Sequence, residues 1–329
     1  MTPATAAAAS LLRPQILARR ARLKAAATSA SVDYVRDLLA EVDAALERID
    51  AGTYGICEAC HDTIEADRLQ ANPMVRFCLD HLNEMERQAH QQDLDLATQI
   101  QTRLLPPSNL ALKHWDTHYH YEPVGPVGGD YCEVTALEDD GSLFVAVGDV
   151  SGKGVAASLL MTHLSAILRS LLSLHVPLAE LMSRANRLFC ESTLTNHYAT
   201  LVCGRATGSG VELCNAGHCP PLLLRQDAIE RLPSAGLPLG LFCGTEYQVI
   251  QVSLAEGESL VLYSDGLTEA ENAEAGEFGE AGLSRSLRRH FGASAEALAH
   301  GVMHDVARFR GACRPTDDLT LLVVRRRQL

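Results

Sequence analysis

The sequence predicts an α+β protein: a helical amino-terminal part, a connecting helix and a strand-rich remainder. Apolar residues recur at steps of three and four through the first 50 residues, which is typical of amphipathic helices. Short alternating runs bounded by glycine and proline turns fill the chain beyond Pro107, as expected for strands. These runs cluster on either side of one helix pair, expected at about 155–173 and 178–193, and do not alternate with helices one to one. The order therefore favours stacked sheets over a doubly wound parallel sheet.

Composition limits the classes of protein to consider. The chain has 329 residues, which suits about two domains, and its 47% hydrophobic content excludes a chain that is disordered throughout. A net charge of −13 has the wrong sign for direct binding to nucleic acid or to an anionic membrane, and fits a metal or a basic partner better. No run approaches the roughly 20 apolar residues of a membrane-spanning helix, so we expect no membrane segment.

The ten cysteines and the amino terminus bear on the compartment. Without a secretion signal, this many cysteines indicate a reducing environment, where thiols bind metals or fill the core and do not form disulfides. We therefore expect a cytoplasmic protein. One alternative stays open: residues 1–30 hold basic side chains and no acid, which is also the pattern of an organelle transit peptide.

The first 50 residues predict a helical hairpin. Residues 31–50 carry large apolar side chains at helical spacing, with Ser31 as the N-cap and Gly52 just past the end. An earlier stretch has a similar pattern, so the chain should turn near 28–31.

A polar, glutamine-rich helix is expected to follow the hairpin and a cysteine-rich module. It contains no glycine or proline and shows only a weak apolar stripe. Pro106 and Pro107 end it, because proline cannot donate the next helical hydrogen bond. The expected domains are 1–81 for the hairpin and the cysteine-rich module, 82–105 for the linker helix and 106–329 for the strand-rich domain.

Four residues between positions 57 and 81 have the spacing of a zinc site. Cys57 and Cys60 form a C-x2-C pair, and Cys78 and His81 form a C-x2-H pair after a gap of seventeen residues. Two short pairs across such a gap can hold the two sides of a tetrahedral Zn²⁺. His61 competes for the fourth position. Because such sites supply about 10–16 kcal/mol, we expect one structural Zn²⁺.

The string ALERIDAGTYGICEACHDTIEADRLQANPMVRFCLDH, within residues 38–90, resembles the zinc finger of the DksA/TraR family. Members of that family modulate RNA polymerase, so the resemblance implies the polymerase as a partner. They reach it with an acidic coiled-coil tip, and the corresponding turn here holds Asp33 as its one acid.

Four short segments place an aspartate beside glycine or another aspartate at a strand end. They are GPVGGD at Asp130, GDVSGKG at Asp149, YSDG at Asp265 and PTDDLT at Asp317 and Asp318. Carboxylates at strand ends can converge from distant segments, and Mg²⁺ and Mn²⁺ prefer such oxygen ligands. GDVSGKG is not a nucleotide-binding P-loop, because only three residues separate its first two glycines and glycine follows its lysine.

The segments QIQTRLLPP, GPVGGDYCEV, VAVGDVSGKGVAASLLM, NAGHCPPLL, GLPLG, LVLYSDGLTEA and TDDLTLLVV occur in this order within residues 94–329. Together they resemble the SpoIIE/RsbU-like branch of the metal-dependent PPM serine/threonine protein phosphatases. The resemblance implies an α-β-β-α sandwich of two antiparallel sheets flanked by helices, with two Mn²⁺ or Mg²⁺ ions at one edge. By position it also implies a set of metal ligands: Asp130, Asp149, Asp265, Asp317 and the carbonyl of Val150.

Other residues in these motifs would support the ligands under the same resemblance. Asp318 would stand behind them, and Glu133 would hold a metal-bound water. Lys153 either attracts phosphate or is merely solvated. His218 is either structural or a support for the ligands.

The resemblance further implies a reaction and its partners. Two ions that activate a water would hydrolyse a phosphoserine or phosphothreonine on a regulatory protein, here a STAS-type anti-sigma-factor antagonist. The helix pair within 155–193 is a switch in the family, so the zinc module and a homodimer through the linker helix would regulate turnover. A competing hypothesis is a non-catalytic, DksA-like interaction protein of the transcription machinery. A weaker one is redox sensing through Cys57, Cys60 and Cys78.

Overall fold

The structure is a computed structural model that describes residues 3–26, 32–81, 84–137, 141–193, 197–234 and 236–328. The chain divides into two compact units, residues 1–93 and 94–329. Each has its own hydrophobic core, and the helical unit precedes the strand-rich one as the sequence predicts.

The first unit begins with the expected helical hairpin of α1 (Pro3–Ala26) and α2 (Val32–Asp50). The helices run antiparallel, as two ion pairs show: Arg13 with Asp50 at 2.8 Å and Arg20 with Asp43 at 2.6 Å. The predicted turn at 28–31, with the N-cap at Ser31, lies outside the described residues.

The cysteine-rich module packs against this hairpin. It contains helix α3 (Ala66–Ala71) and one turn of 3₁₀ helix (Leu79–His81). Its buried Tyr54 shares a core with Leu12 of α1 and Val42 of α2. Such burial explains why the hairpin and the module form one unit.

Helix α4 (Glu84–Leu104) follows and ends just before the two prolines, as predicted. The strands of the second unit form two antiparallel sheets. The first sheet has the order β1 (Asn109–Ala111), β2 (Trp115–Glu122), β11 (Leu319–Arg326), β10 (Ser259–Tyr263), β7 (Leu222–Leu224) and β8 (Ile229–Arg231). The second has the order β3 (Asp130–Ala136), β4 (Leu143–Val150), β5 (Ala199–Thr207), β6 (Gly210–Ala216) and β9 (Val249–Val252).

The two sheets stack as the middle layers of a four-layer sandwich. One core lies between the sheets and joins Val147 of β4 to Leu322 of β11. Outside the second sheet lie α5 (Gly154–Leu172) and α6 (Leu178–Ser192), close to the predicted bounds. Outside the first lie α7 (Asp265–Thr268), α8 (Gly279–Arg289) and α9 (Ala295–Arg310). The resemblance implied this helical layer, but the sequence pattern did not locate its residues. The predicted α-β-β-α sandwich is confirmed.

Two expectations from composition need correction. Helix α5 has 19 residues and is apolar enough to cross a membrane by length and composition, although the sequence suggested no such run. Its apolar face, including Leu164 and Leu168, is buried in the core. The expectation that no disulfide forms is also wrong, because Cys190 is bonded to Cys243.

Candidate functional site

Two of the predicted aspartates face each other across neighbouring strands. Asp130 opens β3, Asp149 lies near the end of β4, and the two are paired in the antiparallel register. Both lie an even number of positions from residues such as Val147 and its partner Cys132, which point between the sheets, so they are on the same face. The register therefore brings two carboxylates from distant motifs to one end of the sandwich.

The other sheet brings its aspartates to the same end. Asp265 comes just after β10, and Asp317 and Asp318 come just before β11, its antiparallel neighbour. Thr320 of β11 donates a hydrogen bond from Oγ1 to Oδ2 of Asp130 at 2.6 Å, which joins the ends of the two sheets. The structure thus brings together all of the aspartates that the sequence singled out.

The electrostatics of this cluster favour a cation. Burial, followed by repulsion from Asp265 and Asp317, raises the pKa of Asp149 to about 7. Burial also raises the pKa of Asp130 and, together with Asp317, that of Asp265. Several carboxylates that each oppose ionisation of the others form a site whose charge a bound cation would neutralise. The donor set therefore fits the hard divalent ions expected from the sequence.

A backbone oxygen adds to the oxygen donors. A Cβ built on Gly129 would lie 3.1 Å from the carbonyl oxygen of Val150 and 3.5 Å from Oδ1 of Asp149. Both oxygens therefore border the same small space beside Gly129, where a larger side chain would intrude. The carbonyl that the resemblance implies as a metal ligand therefore lies near the carboxylate of Asp149.

Asp318 holds the loop that leads into Asp130. Its Oδ1 accepts from the backbone N–H of Val124 at 2.8 Å, and its Oδ2 accepts from that of Gly129 at 2.7 Å. A carboxylate with both oxygens engaged by backbone donors is fixed in orientation. Asp318 thus fixes the loop before Asp130, as a supporting residue would.

Helix α4 holds the same loop from the other side, which sequence reasoning missed. The buried side-chain amide of Gln101 donates to the carbonyl of Gly128 at 2.7 Å and accepts from its N–H at 3.0 Å. One turn earlier, Oγ1 of Thr98 donates to the carbonyl of Pro126 at 2.9 Å. The last turns of α4 therefore set the position of the segment from which Asp130 projects.

We expect Gln101→Ala to impair this site. The change leaves the buried N–H and carbonyl of Gly128 unpaired, at a cost of about 1–3 kcal/mol of unfolding free energy. Any activity that depends on Asp130 should fall about tenfold, because the loop loses its fixed position. Thermal unfolding and turnover, compared with the change of exposed Gln99 to Ala on the same helix, check the prediction. Equal behaviour of the two variants would contradict it.

Glu133 is not part of the cluster, and its expected role is wrong. It lies three positions after Asp130 in β3, so it points to the opposite face of the sheet, towards α5. There its buried carboxylate accepts from Nε of Arg169 at 2.7 Å and from Oγ1 of Thr135 at 2.5 Å. Glu133 thus anchors α5 to the sheet, because Arg169 belongs to that helix.

Lys153 is paired with a predicted ligand. Its Nζ donates to Oδ2 of Asp317 and to the carbonyl of Thr316, both at 2.9 Å. The hydrogen bond to Asp317 raises the pKa of Lys153, so the ammonium stays charged. The side chain of Lys153 is 70% exposed, so it is solvated as well as paired, and its positive charge stands at the mouth of the aspartate cluster.

His218 lies behind the cluster. Its Nδ1 is 2.8 Å from Oγ1 of Thr200, which in turn lies 3.5 Å from the carbonyl oxygen of Asp149. Asn215 accepts from its backbone N–H at 2.8 Å. Burial lowers the pKa of His218 to about 4, so the imidazole is neutral near pH 7. Through Thr200 of β5 these contacts connect the imidazole to the backbone of Asp149, so His218 helps to hold the strand end that carries this aspartate.

The zinc-type cluster is assembled in the first unit. The ligating atoms of Cys57, Cys60, Cys78 and His81 all lie within 4.8 Å of one another, and His61 is not among them. Burial opposes ionisation of Cys57, but backbone N–H groups of its neighbours outweigh this and lower the pKa of its thiol. At Cys60 a backbone hydrogen bond is outweighed by burial and the neighbouring Cys57, which raise the pKa of that thiol. A thiol that ionises readily suits a metal thiolate. The donor set fits tetrahedral Zn²⁺.

Local turns explain how these residues meet. Gly55 has a φ of +79°, a conformation that glycine adopts easily, and its carbonyl accepts from the N–H of Ile64 at 2.8 Å. Between the pairs, Oδ1 of Asn72 accepts from the N–H of Met74 at 3.1 Å, which forms the expected turn at Asn72-Pro73. Both turns fold the chain back on itself.

Comparison with protein-family models gives two matches. The model described as Stage II sporulation protein E (SpoIIE) matches residues 139–327. The model described as prokaryotic dksA/traR C4-type zinc finger matches residues 52–80. His81, the fourth member of the cluster, follows directly after the second match.

Two curated proteins are similar to most of this chain. Protein IcfG of Synechocystis sp. is 27% identical over 264 residues, which are 71% of this chain and 41% of that protein. Phosphoserine phosphatase RsbU of Bacillus subtilis is 24% identical over 71% of this chain and 70% of RsbU. The chain thus spans less than half of IcfG and more than two thirds of RsbU.

Solved structures share the fold of the second unit. The RsbU and RsbW domains of Rv1364c from Mycobacterium tuberculosis superpose with a TM-score of 0.59 at 28% identity, over 67% of this chain and 62% of that one. The SiaA-PP2C domain of Pseudomonas aeruginosa superposes with a TM-score of 0.63 at 20% identity, over 73% of this chain and 98% of that one. The four-layer sandwich is therefore a PP2C-type fold.

Proposed function

Since the chain belongs to the SpoIIE family, we propose that it is a metal-dependent serine/threonine protein phosphatase whose reaction centre is the aspartate cluster. The observation that carries the proposal is the convergence of buried carboxylates with raised pKa values at one end of the sandwich. Such a cluster has no evident structural use, because it destabilises the fold unless a cation neutralises it.

Two Mn²⁺ or Mg²⁺ ions would be held by the predicted ligands. These are the carboxylates of Asp130, Asp149, Asp265 and Asp317, with the carbonyl of Val150. When bound, such ions supply a nucleophilic water near neutral pH and neutralise charge on the phosphoryl group. Phosphate monoesters are among the slowest substrates to hydrolyse without catalysis, so the site must supply both an activated nucleophile and charge neutralisation, as two bound ions would.

The chain's own residues prepare this site. Asp318 and Gln101 hold the loop of residues 124–129 from two sides, so the position of Asp130 is fixed before substrate arrives. Lys153 at the mouth of the site donates a hydrogen bond to Asp317. Once a bound cation neutralises Asp317, the same ammonium is free to attract an incoming phosphate anion.

The substrate we propose is a phosphoserine or phosphothreonine on a regulatory protein. RsbU, which resembles this chain over most of the second unit, is named a phosphoserine phosphatase. By analogy we propose a STAS-type anti-sigma-factor antagonist as the phosphorylated protein. We also propose a cytoplasmic location, which suits such a partner.

The first unit would regulate the second. We propose that it binds one structural Zn²⁺ through Cys57, Cys60, Cys78 and His81, and that the chain forms a homodimer through α4. Helix α4 presents Leu96 and Ile100 one turn apart, 56% and 49% exposed, which a paired helix would cover. RNA polymerase is the partner to test for the zinc module.

The test is release of phosphate from a phosphoserine protein with and without Mn²⁺. We expect turnover to need the metal and Asp265→Asn to reduce it by on the order of 10³-fold, because a ligand carboxylate is lost. Asp227, an exposed aspartate in the turn between β7 and β8, offers the control: Asp227→Asn should leave turnover unchanged.

The opposite result has a definite meaning. If the intact chain released no phosphate with either metal, the non-catalytic interaction protein would replace the phosphatase as the best account of this chain. Binding of the zinc module to the transcription machinery would then be the property to measure.

A further inference from the structure

The disulfide of the second unit joins helix α6 to a surface turn. Cys190 lies near the end of α6, and Cys243 lies in the turn that follows Gly240; their Cα atoms are 5.6 Å apart. We propose that this pair is a reversible thiol–disulfide modification site, oxidised by hydroperoxides, whose oxidised form anchors the α5–α6 layer. The proposal does not depend on the phosphatase activity.

Exposure separates Cys243 from the other described cysteines of the second unit, all of which are buried or half-buried. Cys243 is exposed and Cys190 is half-buried, so an oxidant reaches them from solvent. Cys132, Cys203 and Cys214 are buried, and burial raises the pKa of each thiol, which makes them poor nucleophiles. Burial likewise raises the pKa of the half-buried Cys219 to about 12. Oxidation should therefore begin at the exposed turn.

The turn is docked without help from the disulfide. The side chain of Asn186, one turn before Cys190 on α6, donates to the carbonyl of Phe242 at 2.8 Å and accepts from the N–H of Gly240 at 2.9 Å. These bonds hold the two sulfur atoms near each other when the disulfide is reduced. Reduction can then occur, and be reversed, without unfolding the domain.

The zinc-type cluster of the same chain requires reduced thiols. Cys57, Cys60 and Cys78 can bind Zn²⁺ only as thiolates, which indicates a compartment that keeps cysteines reduced. Disulfides in such compartments are usually transient and redox-sensing. An exposed disulfide and a thiolate site that occur in the same chain fit a reversible modification better than a permanent cross-link.

The chemistry is balanced by the peroxide itself. The thiol of Cys243 loses its proton, the thiolate attacks one oxygen of the hydroperoxide, and the O–O bond breaks. The leaving oxygen takes up that proton, so a sulfenic acid and water (or an alcohol) form. The thiol of Cys190 then attacks the sulfenic sulfur, the S–O bond breaks, and a second water leaves as the disulfide forms. Two electrons pass from the two thiols to the peroxide, and a dithiol such as dithiothreitol returns them.

The effect should appear in the stability of the second unit. The cross-link closes a loop with a sequence separation of 53 and restricts the unfolded chain. We expect the oxidised form to melt about 5–10 °C above the reduced form. We also expect the N–H of Gly240 to exchange about tenfold faster after reduction, because its contact with Asn186 then opens more easily.

The test uses the full chain with its zinc. Protein reduced with dithiothreitol is treated with one equivalent of hydrogen peroxide, alkylated, digested and examined by mass spectrometry for a peptide that links the two cysteines. Melting and zinc content are measured on the same samples. Cys243→Ser, in the exposed turn, should abolish the link and the difference in melting, and Cys313→Ser should preserve both. Cys190→Ser is a second variant that should repeat the first.

Three results would overturn the proposal. The first is release of zinc through oxidation of its cysteines before the link forms. The second is a link that resists dithiothreitol in the folded protein, since that is a permanent disulfide. The third is cross-linking of Cys243 to Cys219 or Cys313 as readily as to Cys190. None of these readouts requires turnover, so an inactive protein does not prevent the test.

Discussion

Replacing Asp149 by asparagine should reduce manganese-dependent turnover by on the order of 10³-fold and yet leave the metal-free protein at least as stable as before. Asp149 is paired with Asp130 across β3 and β4 and is repelled by Asp265 and Asp317. Under the proposed function, loss of its carboxylate removes a metal ligand, so activity should fall. It also removes a partly buried negative charge that destabilises the fold when no metal is bound. We expect a rise in melting temperature of about 1–3 °C without metal.

Added Mn²⁺ gives the second half of this prediction. It should raise the melting temperature of the wild-type protein, because a ligand that binds only the folded state stabilises it. The same addition should have much less effect on Asp149→Asn. Calorimetry with and without the metal, beside phosphate release, measures both halves. A variant that loses activity and stability together would mean that Asp149 has a structural role instead.

Asp318→Asn is the matched contrast, because it should behave in the opposite way. Both oxygens of Asp318 accept from backbone N–H groups, those of Val124 and Gly129. An asparagine keeps one acceptor oxygen and turns its NH₂ group towards the other donor, so either the exposed N–H of Val124 or the part-buried N–H of Gly129 loses its partner. We expect a loss of about 1–3 kcal/mol of unfolding free energy, with or without metal. The two variants therefore separate a ligand from a residue that holds the loop.

The aspartates could be predicted from sequence because each lies in its own short motif. A glycine or second aspartate beside each of them marks a strand end, and the order of the motifs specifies the family. The zinc-type residues are predictable for the same reason, since the spacing of two short pairs is local. In both cases the sequence contains the information within a few residues.

Contacts across long separations could not be predicted in that way. Gln101 meets Gly128 only because α4 ends beside the loop before β3, and a polar residue on a polar helix gives no sign of it. Cys190 and Cys243 meet only because α6 packs near the turn after Gly240. No short sequence motif marks either pair, because the residues meet only when the whole domain has folded.

The sequence held signals that could have prevented the wrong role for Glu133 and the omission of helices α8 and α9. Glu133 is an odd number of positions from Asp130, and strand alternation alone puts the two on opposite faces. Helices α8 and α9 were missed because glycines interrupt their sequences. Gly301 permits close packing, since a Cβ there would lie 2.6 Å from atoms of the His290 ring. Glycine within a helical pattern can mark a packing contact and not a break.

Removing Zn²⁺ from the full chain, or changing Cys78 to serine, should unfold the cysteine-rich module of residues 52–81. Cys57 and Cys78 are themselves buried in the core that joins the module to the hairpin, together with Tyr54. This core is small, whereas a structural zinc site supplies about 10–16 kcal/mol of apparent binding energy. The metal therefore decides whether the module folds. Limited proteolysis should cut within residues 52–81 after chelation and leave 94–329 intact.

The identity of the fourth ligand decides how this result is interpreted. His81→Ala should lower the zinc content and expose the module to protease, because its ring nitrogen lies 3.2 Å from the Sγ of Cys78. His61→Asn is the control: His61 has a φ of +62°, which asparagine tolerates, and it stands apart from the four ligating atoms. It should keep its zinc. If the His61 variant lost its zinc and the His81 variant kept it, the assignment would be reversed. His61, next to Cys60, would then be the fourth ligand in place of His81 in the 3₁₀ turn.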